Sequence, residues 1–317
     1  MSIDFLTQPD VAPATPDLPA PPRYDFSVTV VIPAYNEAPR VGATVAGVRA
    51  AVPEAEIIVV DDASRDGTSA AATQAGARVL RRPHNNGGPG APIKKGIRAA
   101  SGDVIVIIDC DGQHDPNDIP RLLAHMGEYD MVIAARPGRG SHENFRRYLG
   151  NLLLNKLGSY LIEMEMKDLT SGLRAMRRSV MLDFIHLLPN GFSWAMTSAL
   201  AFAKAGYTVR FEPMTMQKRQ GGQSTQKLLK NGLKFGMIIL RMVSLFAPLR
   251  VYTPIATSLF LLGLLSFLIS FFFTGQPPLR LYIPNSALAL FIGSVLVFLY
   301  GLQAESIAAL RFKGPEK

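Results

Sequence analysis

Val104-Ile105-Val106-Ile107-Ile108-Asp109-Cys110-Asp111-Gly112-Gln113 is a run of apolar residues followed at once by two carboxylates two positions apart. A short apolar run that ends in acidic residues reads as a buried strand, predicted here over 104–109. Side chains at i and i+2 of a strand share a face. Asp109 and Asp111 are therefore placed to hold one hard divalent cation, Mg2+ or Mn2+, with Gln113 as a third oxygen ligand. Such a set leaves coordination positions for the phosphate oxygens of a substrate. An isolated Asp-x-Asp is equally a solvated turn, so its surroundings carry the argument. Outward from it, strands are predicted at 28–33, 56–61, 78–80 and 131–135, and helices at 38–51, 66–75, 92–100 and 116–126. Short apolar strands alternating with helices mean an α/β fold whose mostly parallel sheet is covered on both faces. Ligands of such sheets bind beyond the carboxyl ends of the strands. Asn36-Glu37, Asp61-Asp62 and Asp109-x-Asp111 all fall there.

The chain has 317 residues and a formal net charge of +8, unevenly carried. Residues 217–317 hold 11 Lys+Arg against 2 Asp+Glu, so the whole basic excess sits in the most apolar third. A basic segment abutting apolar helices points to an anionic membrane face and argues against nucleic acid as a partner. The single cysteine, Cys110, rules out an internal disulfide and fits a reducing compartment. Flanked by two carboxylates, it is a poor nucleophile.

Residues 1–25, rich in Pro, Ala and Asp, read as a disordered tail, and 26–219 as the α/β domain. In 220–249, Lys227, Lys230, Lys234 and Arg241 fall within roughly 60° of one helix face. Leu228, Leu229, Phe235, Ile239, Met242 and Phe246 line the other face, as in an interfacial helix with its apolar side in lipid. The uncharged stretch 251–273 just spans a hydrocarbon core of ~30 Å. A second span is predicted at 285–303, and Gly275-Gln276-Pro277-Pro278 breaks the helix between them. The two spans occupy 250–305 and leave 306–317 as a tail. Basic residues flank the outer ends of the hairpin, while its connection holds only Arg280. The α/β domain and both termini are thus expected on the cytoplasmic side.

The strand ends carry further motifs. In Pro33-Ala34-Tyr35-Asn36-Glu37, a proline stops the ladder, a flat ring can stack on a base and a carboxylate can accept from ribose. In Asp61-Asp62-Ala63-Ser64-Arg65-Asp66-Gly67-Thr68, one Asp can accept from a base N–H, while Asp66 is expected to cap the next helix. Asn86-Gly87-Gly88-Pro89-Gly90-Ala91 permits close backbone approach, with Lys94 and Lys95 in reach of a phosphate or simply flanking a glycine-rich helix entry. His84 and His114 read as polar loop residues, and Trp194 as core, with stacking on a sugar ring as the alternative.

In this order and at these intervals, the four motifs resemble the family 2 glycosyltransferases of the GT-A (Rossmann-like) fold. Asp168-Leu169-Thr170-Ser171-Gly172-Leu173-Arg174, Arg219-Gln220-Gly221-Gly222-Gln223-Ser224, the basic helix and the hairpin resemble the polyprenyl-phosphate branch of that family. The resemblance implies a nucleotide-diphosphate sugar donor, a polyprenyl phosphate acceptor (undecaprenyl or dolichyl), membrane lipid as a partner, and Mg2+ or Mn2+. It implies that Pro33, Tyr35, Glu37, Asp61, Asp62, Asp109 and Cys110 hold the nucleotide, and that Asp109, Asp111 and Gln113 hold the metal. Arg136, Arg147 and Arg219 would hold the lipid phosphate, with Asp111, Asp168 and Arg136 at the reacting centre. An acceptor that is already anionic needs no strong base; if one acts, Asp168 is the candidate and Asp111 stands behind it. In-line attack would invert the anomeric centre. Two other readings are a membrane glycosyltransferase with a diacylglycerol or glycan acceptor, and a non-catalytic nucleotide-sugar-binding scaffold. A homo-oligomer is compatible with the sequence.

Overall fold

In the computed structural model, which describes residues 24–137, 145–216, 232–273 and 283–312, the predicted alternation is realised. It runs β1 (Val28–Ala34), α1 (Ala38–Ala51), β2 (Glu56–Asp61), α2 (Thr68–Gln74), β3 (Arg78–Arg81), α3 (Gly90–Ala99), β4 (Val104–Ile107), α4 (Ile119–Leu123) and β5 (Met131–Ala135). Next come α5 (Phe145–Ile162), β6 (Arg174–Arg177), α6 (Arg178–Phe184), α7 (Trp194–Lys204) and β7 (Val209–Pro213). α8 (Gly232–Phe246), α9 (Pro248–Phe273) and α10 (Asn285–Ala309) complete the described chain.

The strands form one sheet in the order β3-β2-β1-β4-β6-β5-β7. Neighbours are parallel except at β6, which runs antiparallel to both β4 and β5. Alternate side chains fill two separate cores, as the period of a strand requires. Val31, Ile58, Ile105 and Ile107 pack towards α3, α6 and α7, while Val30, Ile32, Val59 and Val106 pack towards α1 and α4.

Several boundaries differ from the sequence expectation for physical reasons. β1 continues through Pro33 to Ala34, which pairs with Asp61, so the proline does not stop the ladder to β2. Pairing of β1 with β4 ends at Val31, so the N–H that Pro33 lacks falls where no ladder bond is made. β4 stops at Ile107 and not at Asp109. Asp109 and Asp111 therefore sit on a loop, with Gly112 at φ 77°, and strand alternation does not bring them together. The helix expected over 116–126 is a 3-10 turn at Pro116–Asp118 followed by the short α4. β6 and β7 were not foreseen: Arg-Ala-Met-Arg and Val-Arg-Phe-Glu-Pro lack an apolar run.

The C-terminal helices pack on the domain and on each other. Met242, Val243 and Phe246 of α8 are buried in the same core as α7, with Ile239 partly buried against it. Among the described residues of the side expected in lipid, Ile239, Met242 and Phe246 thus lie on protein, because α5, α7 and α10 offer α8 an apolar surface. Among the described side chains of α8, Met237 and Leu240 are exposed. Lys227, Leu228, Leu229 and Lys230 lie outside the described residues, as do Arg280 and the break at Gly275-Gln276-Pro277-Pro278.

Residues Pro248–Phe272 and Asn285–Ala309 are each 25 residues with mean hydropathy 2.3 and 2.0, long and apolar enough to cross a membrane. They pair along their length through small and hydroxyl residues. Ser294 Oγ donates to Ala256 O at 2.8 Å, and the Ser266 and Ser286 hydroxyls lie 2.9 Å apart. The hairpin is tied to the α/β domain at its base. Tyr160 Oη donates to Arg250 O at 2.9 Å, Arg250 Nη1 donates to Tyr160 O at 2.7 Å, and Lys204 of α7 pairs with Glu305 of α10 at 3.8 Å. On α5, Leu149 and Leu153 are exposed on the same helix as Tyr160.

A Cβ added at Gly301 would approach the Tyr252 Cβ to 2.7 Å, whereas one added at Gly293 meets nothing within 4 Å. Gly301→Leu is expected to lower the thermal midpoint in detergent, from about 1–3 kcal/mol of overpacking. Gly293→Ala serves as the neutral control, and equal midpoints for the two variants would refute this account of hairpin packing.

Candidate active site at the carboxyl edge of the sheet

The ends of β1, β2, β4 and β5 converge on one edge. After β1, Asn36 takes φ 53°, its N–H donates to Ser64 Oγ and its Oδ1 accepts from Arg65 N. These bonds lock the β1 loop to the β2 loop. Tyr35 is left 43% exposed at the rim, with its ring available to a flat ligand. Glu37 precedes α1, ion-paired to Arg40, and its N–H donates to Thr68 Oγ1. Asp61 is fully buried and bound inside its own loop: Oδ1 accepts from Ser64 N at 2.8 Å, Oδ2 from the Ser69 hydroxyl, with Arg81 alongside. Asp62 is paired with Arg82; burial raises its carboxyl, and Arg82 opposes this only in part. Asp66 anchors helix starts as expected, accepting from Thr68 N at 3.1 Å and Ala38 N at 3.2 Å.

Beyond β4, the buried Cys110 thiol points back to Pro33 O at 3.5 Å. Burial, then the carboxylates of Glu37, Asp109 and Asp111, push this thiol well above its ordinary range, so it stays protonated. That places Pro33, Glu37, Asp109 and Asp111 around one side chain. Asp111 Oδ1 accepts from Gln113 N at 3.1 Å, which curls the loop so that Asp109, Asp111 and Gln113 are all half-buried at the cleft. Two carboxylates and an amide oxygen are a hard donor set, short of the six oxygens Mg2+ or Mn2+ takes. They suit a hard divalent cation, whose remaining positions would be open to substrate oxygens and water.

Asp168, 2% exposed, lies on the segment that leads into β6. Arg136 grips both its oxygens, Nε to Oδ2 at 2.7 Å and Nη2 to Oδ1 at 2.8 Å, and Nη2 also reaches Thr170 Oγ1 at 2.6 Å. Burial would raise the Asp168 carboxyl, but the hydrogen bonds and charge of Arg136 outweigh it and hold it below the ordinary range. Such a carboxylate is a weak base. His114 lies beside this pair, where burial and the Arg136 and Arg174 guanidiniums push it to about 4, against the pull of Asp168.

Of the residues expected at the site, Pro33, Tyr35, Glu37, Asp61, Asp62, Asp109, Cys110, Asp111, Gln113, Arg136 and Asp168 lie at this edge. Arg147 is on α5 with its side chain outside the described residues, and Arg219 lies outside them entirely. The lysines do not reach towards a phosphate: Lys94 Nζ donates to Leu188 O at 3.0 Å and Lys95 Nζ to Arg81 O at 2.6 Å. The glycines of the Asn86–Ala91 motif serve the chain's own backbone, since Gly88 and Gly90 lie against Pro189, Asn190 and Gly191. Trp194 is core, with the Arg174 guanidinium 4.9 Å from its ring centroid. Sequence reasoning gave no role to Gly172, Arg174 or His114; the one available signal was the unbroken Asp168–Arg174 motif.

Two family descriptions match, "Glycosyl transferase family 2" over residues 29–184 and "GtrB C-terminal hairpin" over residues 247–310. The undecaprenyl-phosphate mannosyltransferase of Micrococcus luteus is 35% identical over 62% of this chain and 86% of its own length. This chain belongs to the family 2 glycosyltransferases, in the polyprenyl-phosphate branch. Within the branch the sugar differs. The undecaprenyl-phosphate 4-deoxy-4-formamido-L-arabinose transferase of Aeromonas hydrophila is 34% identical over 52% of this glycosyltransferase and 56% of its own length. Among solved structures, glucosyl-3-phosphoglycerate synthase from Mycobacterium tuberculosis, in complex with Mn2+, UDP and glucosyl-3-phosphoglycerate, aligns with TM-score 0.54. It is 23% identical and covers 69% of this chain and 80% of its own, a likeness that establishes the GT-A fold.

The Arg136–Asp168 pair makes a testable stability statement. Because the folded-state carboxyl is lowered, its contribution is fully present above the ordinary carboxylate range and is lost as pH falls through the lowered value. Asp168→Asn leaves Arg136 without its counter-charge, at a cost of about 3–5 kcal/mol. Thermal midpoints measured from pH 7 down to 3 are expected to show the variant destabilised at neutral pH and less sensitive to acid. Parallel curves for both proteins would refute the pair's role.

Proposed function

We propose that this glycosyltransferase moves a hexose from a nucleotide-diphosphate sugar to a polyprenyl phosphate, undecaprenyl or dolichyl, at the cytoplasmic membrane face. The observation that carries the reading is the pairing of two sites across one short segment. Asp168, bonded to Arg136, starts the segment whose Gly172 lies against the Asp109 carboxylate, and the same domain is bonded to the base of an apolar hairpin. The names of the relatives support the acceptor, and the basic residues flanking the hairpin support the cytoplasmic orientation of the domain and both termini.

Pro33, Tyr35, Glu37 and the Asp61/Asp62 loop shape the nucleotide pocket at the ends of β1 and β2. Tyr35 supplies the stacking face, while Asp61 acts mainly by holding its loop, since its oxygens are already bonded. Asp109, Asp111 and Gln113 would hold Mg2+ or Mn2+, which when bound neutralises charge on the leaving diphosphate. Arg136 binds the acceptor phosphate with the guanidinium donors that Asp168 leaves free, and Arg147 and Arg219 are assigned to the same phosphate. One phosphate oxygen attacks the anomeric carbon as the bond from that carbon to the diphosphate oxygen breaks, inverting the centre. The acceptor oxygen is already anionic, so no proton has to be removed and positioning does the work. Asp168, paired and lowered, orients Arg136 and does not act as a base. The exposed Leu149 and Leu153 of α5 and Met237 and Leu240 of α8 would rest on the bilayer beside the hairpin.

The test is transfer from labelled GDP-mannose and UDP-hexoses to undecaprenyl or dolichyl phosphate by the full chain in detergent, with Mn2+ or Mg2+. Labelled lipid is expected with at least one donor, absent with chelator and absent for Asp111→Ala. Loss of one charge-stabilising donor typically lowers kcat by about 10²–10³-fold, and Arg136→Ala is expected in that range. Nucleotide binding without lipid labelling under any donor would remove the polyprenyl phosphate assignment.

A further inference from the structure

Arg174 is the largest side chain with no solvent exposure among the described residues. Its Nη1 donates to Ala195 O at 2.5 Å and to Ser198 Oγ at 2.9 Å, and its Nη2 donates to Ser171 O. Its Nε has no partner, and neither has the buried Ser171 Oγ. Desolvation brings this guanidinium down to about 9, against the pull of Asp168 and Asp109. A cation enclosed this way costs stability that an apolar side chain would not, so packing does not explain it. Its bonds instead join the Ser171 backbone to the first turns of α7.

The next residue shows what that staple holds. Gly172 has an ordinary backbone conformation that any residue adopts, so glycine is not there for its φ. A Cβ at Gly172 would overlap Asp109 Oδ2 and come within 3.1 Å of Asp109 Cγ. The carboxylate lies in the space a side chain would take.

We propose that Gly172 and Arg174 are positioning residues for Asp109: the bare Cα of Gly172 is the surface against which the carboxylate is set, and Arg174 fixes that surface to α7. The inference rests on Asp109 being a ligand of the metal that binds the donor diphosphate. It links the two walls of the cleft, because the segment that backs Asp109 begins at Asp168, the partner of Arg136.

The experiment measures Mn2+ binding to the full chain in detergent, alone and with UDP or GDP, by calorimetry and by emission of Trp194, the chain's only tryptophan. Gly172→Ala is the decisive variant, since Asp109 can swing away and the fold need not change. It is expected to keep the wild-type thermal midpoint while the Mn2+ half-saturation rises about 10–100-fold, as when a group that orients a ligand is lost. Arg174→Lys, which keeps charge but loses the fork, should shift it in the same direction. Wild-type half-saturation in Gly172→Ala overturns the inference alone. A wild-type protein whose nucleotide binding ignores Mn2+ overturns the metal assignment of Asp109 and this inference with it.

Discussion

Asp168 ties Arg136 to the segment that backs the Asp109 carboxylate. Its buried carboxylate is gripped on both oxygens by Arg136 and caps Thr170 N at 3.2 Å, so one ionised group sets the direction of a guanidinium and the start of the Thr170–Arg174 segment. A bidentate pair fixes orientation as well as distance. Everything proposed for the reaction needs that geometry, because an anionic nucleophile gains its rate from placement.

The unusual strand of the sheet is what brings this about. β6 enters antiparallel between β4 and β5, directly after Asp168–Leu173. Arg174 lies opposite Ile107, the last residue of β4, on one side and Ile133, two residues before the end of β5, on the other. A parallel strand there would begin at the far edge of the sheet. The reversed one begins at the carboxyl edge, and so delivers its preceding loop into the cleft between the Asp109 loop and Arg136. The same edge of the sheet is connected to the apolar hairpin through α5, whose Tyr160 and the facing Arg250 exchange backbone-directed bonds.

The acidic residues differ in where they stand. Asp61, Asp62, Asp66 and Asp168 have oxygens bonded to neighbouring N–H groups, hydroxyls or guanidiniums and so shape loops. Asp109 and Asp111 stand half-buried on the loop after β4, where Asp111 also accepts from Gln113 N, and what sets them apart is their place beside Cys110 and Gly172. Residue type alone does not separate the two groups, since all six are aspartates at strand ends or in the loops beside them.

The amino-acid sequence by itself determined the α/β alternation, the placing of the acidic clusters at strand ends and the two long apolar helices. Each rests on local periodicity, and an apolar run buries wherever a sheet or bilayer receives it. Only the tertiary structure decided β6 and β7, the lipid or protein side of α8, and the partners of Lys94, Lys95 and Arg174. Arg-Ala-Met-Arg has no strand period, and it becomes a central strand because β4 and β5 complete its ladder. α8 shows its apolar residues equally to lipid and to α7 until the domain is assembled. The glycine at 172 is unreadable from its neighbours in sequence, because the group it makes room for, the Asp109 carboxylate, is brought there only by the fold.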